Sequence, residues 1–395
     1  MNFAFCHEHV KPARGGCETY IADLARRLLA DRHEVHLYAC RWDVAALPAG
    51  IRYHRLPRVP GPRFLRPWRF SRRCHEALAN ARHDLTIGFD KTWGLDVLFP
   101  QGGLHAATVE HNRDKHRGRL GRVLARLGKT FDLGHWSFSR LERRQYLEAQ
   151  RPLIVVNSRM VQRHFQRYYG IAEDSVHVVH SAIHPERFQQ PDRPRHRVDW
   201  RHRHGLAPTE TVALFVARNY RLKGLEPLLL AVQRLTRRAE FRRSSGFRLV
   251  VAGSSRTREF RRMALSLGID KHVRFLGNCD DITGGFFAAD FLVHPTFYDP
   301  CSLVVLEGLA CGLPVITTRQ NGATELLRPL QEGYVIDTPH DTNHLAWCMA
   351  QLLDPSRRLV CSQAARQTAA RWTFEQHYQR LMHILQPAAT RRLAA

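Results

Sequence analysis

The stretch 295–322 constrains the fold more than any other part of the chain. It reads PTFYDPCSLVVLEGLACGLPVITTRQNG, a polar start followed by an apolar run and a Gly-Leu-Pro stop. Asp299 followed by Pro300 predicts a helix N-cap with proline at the first helical position. Gly312 and Pro314 predict the end of that helix, and the β-branched residues that follow predict a strand. The stretch therefore predicts the helix–turn–strand succession of an α/β domain.

Two carboxylates in this stretch suggest what the predicted helix could bind. Asp299 and Glu307 stand eight residues apart, so they would share one helix face. Free N–H groups and the dipole at a helix start attract an anion, and a carboxylate further along accepts from hydroxyls. The pattern suits a phosphorylated sugar nucleotide. An ordinary capped, half-buried helix explains it about as well.

The start of the chain predicts a second α/β domain. An apolar strand over 2–6 precedes a loop with Gly15 and Gly16, a helix from about Glu18 and a strand over 34–40. Strand, glycine loop, helix and strand form a βαβ unit that opens a doubly wound domain. The glycine pair would let backbone N–H groups approach a phosphate, although a plain tight turn is the alternative.

A Pro-, Arg- and His-rich stretch over 182–207 without periodicity predicts the linker between the two domains. Its histidines (His196, His202 and His204) could be a metal site, but solvated linker side chains are the preferred interpretation. Beyond the linker, strands are predicted at 212–217, 247–252, 273–276, 291–294, 314–317 and 334–336. A helix is predicted over 225–235 and two more over 356–371 and 373–386.

Composition limits the class of protein. The 395 residues suffice for two domains with full cores. The sequence contains no run of about 18 apolar residues, so no membrane span is predicted. The N-terminus does not read as a signal peptide, and nine Cys without C-x-x-C spacing favour a reducing cytoplasm over disulfides or zinc. The net charge of +24 implies an anionic partner, which could be nucleic acid, a membrane surface or a phosphorylated substrate.

The D-x7-E pattern followed by GLACGLPVITT and NG resembles the E-x7-E segment of glycosyltransferase family 4, whose members are retaining enzymes. The resemblance implies the GT-B fold: α/β, with two Rossmann-like doubly wound domains and an interdomain cleft. The N-terminal acceptor-side domain would span 1–182 and take up a C-terminal helix at 373–390. The donor domain, which binds the nucleotide sugar, would span 183–372.

The same resemblance assigns the donor site. Asp299, where the family usually has Glu, would contact the donor sugar, and Glu307 would bind the ribose. Arg218 and Lys223 match the family's R-x4-K-G and would stabilise the charge on the leaving diphosphate. The remaining donor-binding candidates are Gly15, Gly16 and the backbone of Cys301, Ser302 and Leu303.

No cofactor is expected. The chain has no Asp-x-Asp pair, so the resemblance implies chemistry that needs no metal, with the two cations and the helix start in place of an ion. No extra carboxylate suits a covalent nucleophile, which favours attack on the departing face, with the leaving phosphate taking the acceptor proton.

The stretch GFDKTWGLDVLFPQGGLHA resembles a subgroup of the family, the glucosyltransferases of the lipopolysaccharide inner core. It implies a UDP-sugar donor, UDP-glucose first, and a lipid-linked saccharide acceptor at the cytoplasmic face of the inner membrane. The subgroup carries an acceptor-side Asp near the position of Gly102 or Gly103. His105 is the replacement candidate, and a surface histidine is the alternative.

Two basic runs predict where the protein binds. The first interleaves arginines with apolar residues: Arg63, Phe64, Leu65, Arg66, Trp68, Arg69, Phe70, Arg72 and Arg73. The second comprises Arg113, Lys115, Arg117, Arg119, Arg122, Arg126 and Lys129. Both predict peripheral binding to an anionic membrane surface, with a solvated basic face as the alternative.

Two other functions stay open. Arginine runs with interleaved aromatics also occur in nucleic-acid-binding proteins, although no nucleic-acid partner is expected here because no such module is recognised. A GT-B scaffold that has lost activity is the other alternative, suggested by Asp299 and Gly102.

Overall fold

A computed structural model describes residues 1–12, 15–115, 132–148, 151–188, 190–328 and 330–393. The chain divides into two compact units. The first holds the residues up to Arg113, the stretch that ends at His180, and the chain from Glu375 onward. The second is built from Ser181–Phe374.

The first unit is built on a seven-stranded parallel sheet in the order β5-β3-β1-β6-β7-β8-β9. The strands are β1 (Asn2–Cys6), β3 (Glu34–Ala39), β5 (Arg52–Arg55), β6 (Leu85–Phe89), β7 (Val97–Phe99), β8 (Leu153–Val156) and β9 (Val176–Val178). Two-residue strands β2 (His9–Val10) and β4 (Arg41–Trp42) pair separately. The helices are Gly16–Ala30, Arg66–Leu78, His105–Asp114, Leu133–Leu147 and Arg159–Tyr169. The helix Phe374–Leu393 belongs to this unit from Glu375 onward.

The second unit is built on a six-stranded parallel sheet in the order β12-β11-β10-β13-β14-β15. The strands are β10 (Thr211–Val216), β11 (Phe247–Ala252), β12 (Val273–Gly277), β13 (Phe291–His294), β14 (Val315–Thr318) and β15 (Gly333–Ile336). The helices are Arg193–Arg203, Leu225–Leu235, Ala239–Arg243, Arg258–Ser266, Ile282–Ala288, Leu303–Ala310, Thr342–Gln351 and Pro355–Arg371.

The central strands of the second unit are mostly apolar because helices cover both faces of the sheet. In β10 and β11, Leu214 lies opposite Val250 and Phe215 opposite Val251, and all four are fully buried. Continuous apolar runs of this kind are typical of parallel sheets. This pattern explains why the predicted strands over 247–252 and 291–294 match β11 and β13. The predicted helix over 225–235 also matches the observed bounds.

The predicted linker over 182–207 is wrong in part, because it contains the helix Arg193–Arg203. Trp200 is buried, and Arg201 donates to Asp290 Oδ2 at 2.8 Å while Arg197 donates to Asp290 Oδ1 at 2.6 Å. The apolar periodicity of this helix is weak because the buried Arg201 and the partly buried Arg197, rather than leucines, attach it to Asp290. His204 packs against Trp200, with ring centroids 4.1 Å apart.

The C-terminal helix packs within the first unit. Tyr20 OH and His377 Nε2 are 2.9 Å apart, and Arg27 donates two hydrogen bonds to the Glu375 carboxylate at 2.6 and 3.0 Å. In the described part of the chain, no helix combines the length and the hydrophobicity that a bilayer span needs.

Candidate functional site

The loop 218–224 joins β10 to the helix Leu225–Leu235 and is fixed against the segment that carries Asp299. Gly224 has φ 81°, and a Cβ there would lie 1.9 Å from the carbonyl oxygen of Pro295. A residue other than glycine would therefore separate the loop from that segment. The carbonyl of Leu222 also accepts from the N–H of Phe297 at 2.9 Å.

This arrangement brings Lys223 and Asp299 together. Lys223 Nζ lies 2.6 Å from Asp299 Oδ2 and donates to the carbonyl of Tyr298 at 3.1 Å. Both side chains are largely buried, at 19% and 13% exposed. Arg218 lies in the same loop, and its side chain is exposed.

His294, which the sequence analysis missed, completes the group. Its Nε2 lies 3.3 Å from Asp299 Oδ2, and burial lowers the pKa of its imidazole. A neutral ring must therefore carry its proton on Nε2 to donate to the carboxylate. Burial alone would raise the pKa of Asp299, but the charge of Lys223 and the His294 hydrogen bond outweigh it, so this pKa lies below its ordinary value.

Asp299 is not the N-cap that the sequence predicted. The helix begins at Leu303, with Ser302 as its N-cap. The Asp299 N–H donates to the carbonyl of Gln320 and its own carbonyl accepts from Gly322, both at 2.9 Å. These bonds hold residue 299 extended, so Asp299 and Glu307 do not lie on one helix face.

The three residues predicted to meet phosphate through their backbone lie at the start of this helix. The Ser302 N–H donates to Asn321 Oδ1 at 3.2 Å, and the buried Asn321 also accepts from the N–H of Ala323. Cys301 is buried, which raises the pKa of its thiol to about 12. Leu303 is the first helical residue, and the first N–H groups of a helix have no intrahelical partner.

Glu307 lies in the middle of the helix Leu303–Ala310 and is half-buried. Burial raises the pKa of its carboxyl to about 7, against a smaller opposing effect of the Arg187 charge. A carboxyl in this state gains from donors that stabilise its ionised form.

The other candidates lie in the first unit. Gly15 is extended, with φ −179°, and precedes the helix Gly16–Ala30, which starts two residues earlier than predicted. A Cβ on Gly15 would lie 2.8 Å from Glu18 Oε2, so Glu18 closes the space over this residue.

His105 begins the helix His105–Asp114. Its Nε2 lies 3.2 Å from His135 Nδ1, and its N–H donates to Glu142 Oε1. Glu142 Oε2 accepts from the N–H of Ala106 at 3.0 Å and from the hydroxyl of Tyr169 at 2.5 Å. The buried Glu142, which no sequence motif marked, thus holds the start of this helix.

Two parallel-sheet units, the second with a buried lysine–carboxylate pair beside a helix start, match the GT-B architecture that the sequence predicted. Two family models match the chain: "Glycosyltransferase Family 4" over residues 14–187 and "Glycosyl transferases group 1" over residues 197–368. Together they span most of the chain, which therefore belongs to glycosyltransferase family 4 and is a transferase.

Two characterised proteins resemble this chain over more than nine-tenths of its length. The lipopolysaccharide glucosyltransferase WaaG of Escherichia coli K12 is 24% identical over 370 residues, 93% of this chain and 94% of WaaG. A crystal structure of WaaG has a TM-score of 0.79 at 22% identity and covers 97% of this chain and 99% of that one. Anabaena HepE in complex with UDP-glucose has a TM-score of 0.69 at 17% identity, over 98% of this chain and all (100%) of HepE. The two solved structures confirm the GT-B fold.

Proposed function

We propose that the protein moves a hexose from a nucleotide diphosphate sugar, UDP-glucose first, to a lipid-linked saccharide such as lipopolysaccharide core or another cell-envelope glycan. Transfer retains the anomeric configuration and needs no divalent metal. The observation that carries the proposal is the Lys223–Asp299–His294 group beside the start of the helix Leu303–Ala310. WaaG, named as a glucosyltransferase, and HepE, solved with UDP-glucose, support the choice of donor.

Lys223 has a hydrogen-bond donor available for the diphosphate leaving group. Its ammonium has three donors, of which one meets Asp299 and one the Tyr298 carbonyl. The third can meet a phosphate oxygen, where a fixed cation stabilises charge that grows as the glycosidic bond breaks. Arg218, on the same loop, adds a second cation.

The carboxylates hold the sugar nucleotide. Asp299, ionised and held by Lys223 and His294, accepts from a donor-sugar hydroxyl, while Glu307 accepts from the ribose hydroxyls. The acceptor hydroxyl attacks the face that the diphosphate leaves, and the leaving phosphate takes its proton. No protein nucleophile takes part.

Thermal-shift measurements with UDP-, GDP- and ADP-hexoses in EDTA test the proposal. A nucleotide at 100 times its Kd should stabilise the protein by about 2.7 kcal/mol. We expect the largest shift with a UDP-hexose and no change when EDTA is replaced by Mg²⁺. A shift or turnover that appears only with Mg²⁺ or Mn²⁺ would contradict metal independence.

Glu307→Gln should weaken nucleotide binding by about 10- to 100-fold, because hydrogen bonds to a charged group are worth about 1.5–3 kcal/mol. With a pKa of about 7 without ligand, Glu307 binds best when ionised, so wild-type affinity for UDP-glucose, whose diphosphate does not titrate in this range, should rise from pH 6 to pH 8. The affinity of the variant should not change with pH. Calorimetric titrations at pH 6, 7 and 8 measure both effects.

The same substitution should stabilise the free protein above pH 7. Because the native pKa of Glu307 exceeds the unfolded value, its contribution to stability is full below the ordinary Glu pKa and is lost as pH rises through 7. Glu259→Gln, an exposed control, should alter neither affinity nor stability. Equal, pH-independent UDP-glucose affinities in wild type and Glu307→Gln would remove Glu307 from the site.

We further propose that the protein binds the cytoplasmic face of the inner membrane through the first unit. The aromatics of 63–73 do not project freely: Phe70 is buried and Trp68 donates to Ser137 Oγ at 2.9 Å. Leu133 and Trp136, beside Ser137, are instead 67% and 61% exposed. Most of the second basic run lies outside the described residues.

Trp136→Ser should reduce binding to anionic vesicles, because it removes an exposed aromatic suited to the bilayer interface. Wild-type binding should fall with added salt, since basic side chains contribute about 1 kcal/mol each near an anionic surface and are screened. Co-sedimentation with anionic and neutral vesicles measures the effect. Trp347→Ser, an exposed tryptophan in the second unit, is the control and should bind as wild type. Equal sedimentation with both vesicle types would refute the membrane role.

A further inference from the structure

The first unit contains a pocket of about 520 Å³ at one edge of its sheet. Part of its lining follows three adjacent strands: residues 7–9 follow β1, residues 89–92 end β6, and residues 102–103 follow β7. Open parallel sheets bind ligands at the carboxyl ends of their strands, and the volume is that of a small-molecule site.

Three carboxylates line this pocket: Glu8, Asp90 and Glu142. Glu142 uses both oxygens on the helix start and Tyr169, as described above. Glu8 lies 3.5 Å from His9 Nε2. Asp90 accepts from the N–H of Gly102 through Oδ1 at 2.7 Å, and burial together with the charge of Asp90 raises the pKa of the nearby Cys17 thiol. A carboxylate has about four lone-pair sites, so Asp90 retains the capacity to accept from a ligand.

The backbone at Asp90 is strained and held. Its φ is +55°, a left-handed conformation that few residues other than glycine adopt. Its N–H donates to Phe99 O at 3.0 Å, and its carbonyl accepts from Gln145 Nε2 at 2.6 Å. Strain that the surroundings enforce is a mark of functional sites, and a carboxylate so fixed is preorganised.

The Asp90 carboxylate lies next to Gly102, in space that a side chain at residue 102 would enter. A Cβ built on Gly102 would lie 3.4 Å from Asp90 Oδ1, and its backbone is not in the positive-φ region. The backbone conformation of residue 102 therefore does not require glycine, and a carboxylate placed there would reach the same part of the pocket.

The other charged groups of the pocket are cationic. Arg63 and Arg66 line it with exposed side chains, and Lys91 Nζ lies 3.4 Å above the ring of Phe138. A carboxylate that is held in place and keeps acceptor capacity, beside three cations, suits a ligand that presents both hydroxyls and an anionic group.

We propose that Asp90 is the acceptor-binding carboxylate of this enzyme, and that the part of the lipid-linked saccharide bound here is polyhydroxylated and carries a phosphate or carboxylate. Asp90 accepts from an acceptor hydroxyl, and Arg63, Arg66 and Lys91 meet the anionic group. This inference rests on the proposed function, since it names the second substrate of the same transfer.

Calorimetric titration of the full-length protein with myo-inositol 1-phosphate tests the inference, with myo-inositol and inorganic phosphate as partial ligands. We expect the wild type to bind the polyol phosphate at least tenfold more tightly than either partial ligand. Asp90→Asn should weaken that binding at least tenfold, and Arg63→Gln/Arg66→Gln should remove the advantage of the phosphorylated polyol. Asp90→Asn/Gly102→Asp should restore at least half of the loss, which a purely structural role of Asp90 would not allow.

The thermal shift with UDP, which reports on the second unit, separates the two proposals. If UDP stabilises wild type and Asp90→Asn equally and only polyol-phosphate binding falls, both proposals stand. Polyol-phosphate binding that is equal in wild type and Asp90→Asn, or absent from the wild type while UDP binds, would overturn the role of Asp90. The absence of a shift with any nucleotide would instead overturn the proposed function.

Discussion

Lys223→Ala should lower kcat/KM for the nucleotide sugar by about 10²- to 10³-fold, the usual loss when one preorganised charge-stabilising group is removed. The reason is local: Lys223 lies 2.6 Å from Asp299 and retains a donor for the leaving phosphate. Lys223→Arg keeps the charge but changes its shape, so it should fall between the wild type and the alanine variant. Steady-state kinetics of nucleotide diphosphate release measure the difference.

A second readout separates chemistry from folding. Lys223→Ala leaves Asp299 buried without its cation, which should cost about 1–3 kcal/mol of unfolding free energy at neutral pH. Because Asp299 has a lowered native pKa, its contribution to wild-type stability is present above the ordinary Asp pKa and lost below it. The difference in Tm between the two proteins should therefore shrink below about pH 4.

Arg221→Ala is the matched control for Lys223. It removes a cation from the same loop, but Arg221 pairs with Glu259 at the surface, and both side chains are more than half exposed. Its kcat/KM should stay within about twofold of wild type, since exposed ion pairs contribute little. Wild-type kinetics in a folded Lys223→Ala variant would remove Lys223 from the site.

Asp299→Ala should abolish most of the activity, whereas Asp299→Glu should keep a measurable part of it. Alanine removes the sugar-binding carboxylate and leaves Lys223 and His294 without their shared partner. Glutamate keeps the charge, but its extra methylene must fit in a space where one oxygen already lies 2.6 Å from Lys223 and 3.3 Å from His294. Donor turnover and thermal unfolding of the two variants test this.

The control for Asp299 is an aspartate that only caps a helix. Asp341 accepts from the N–H of His344 at 2.9 Å at the start of the helix Thr342–Gln351. Asp341→Ala should cost about 1 kcal/mol of stability and leave turnover unchanged. If Asp299→Ala behaves like Asp341→Ala, Asp299 has no part in the chemistry.

The sequence predicted most of the second unit's secondary structure, because its strands are apolar runs between turn signals. It failed where polar side chains decide the structure. Asp-Pro at 299–300 has the composition of a helix start, yet the ion pair with Lys223 and the backbone bonds to residues 320 and 322 hold it extended. Lys223 and residues 320 and 322 all lie more than 20 residues from Asp299 along the chain, so no local sequence pattern reveals these contacts.

The site was predictable where a motif fixes a loop and not where spatial neighbours do. The R-x4-K-G resemblance pointed to Lys223 and Gly224, and the structure shows Gly224 so close to the Pro295 carbonyl that a Cβ has no room there. His294 was missed because a histidine that ends an apolar strand looks like a core residue. Asp90 was missed because Gly102 was considered alone, and only the fold brings the two within hydrogen-bonding distance.

The most direct test of the central claim is the release of nucleotide diphosphate from UDP-, GDP- and ADP-hexoses by purified protein in EDTA. The Lys223→Ala variant sets the background rate. The slow hydrolysis of donor that glycosyl transfer chemistry allows needs no knowledge of the acceptor. We expect the wild type to release UDP from a UDP-hexose at a rate well above that of Lys223→Ala. Folded wild-type protein that releases no nucleotide diphosphate above the Lys223→Ala rate from any of the three donors would contradict the account.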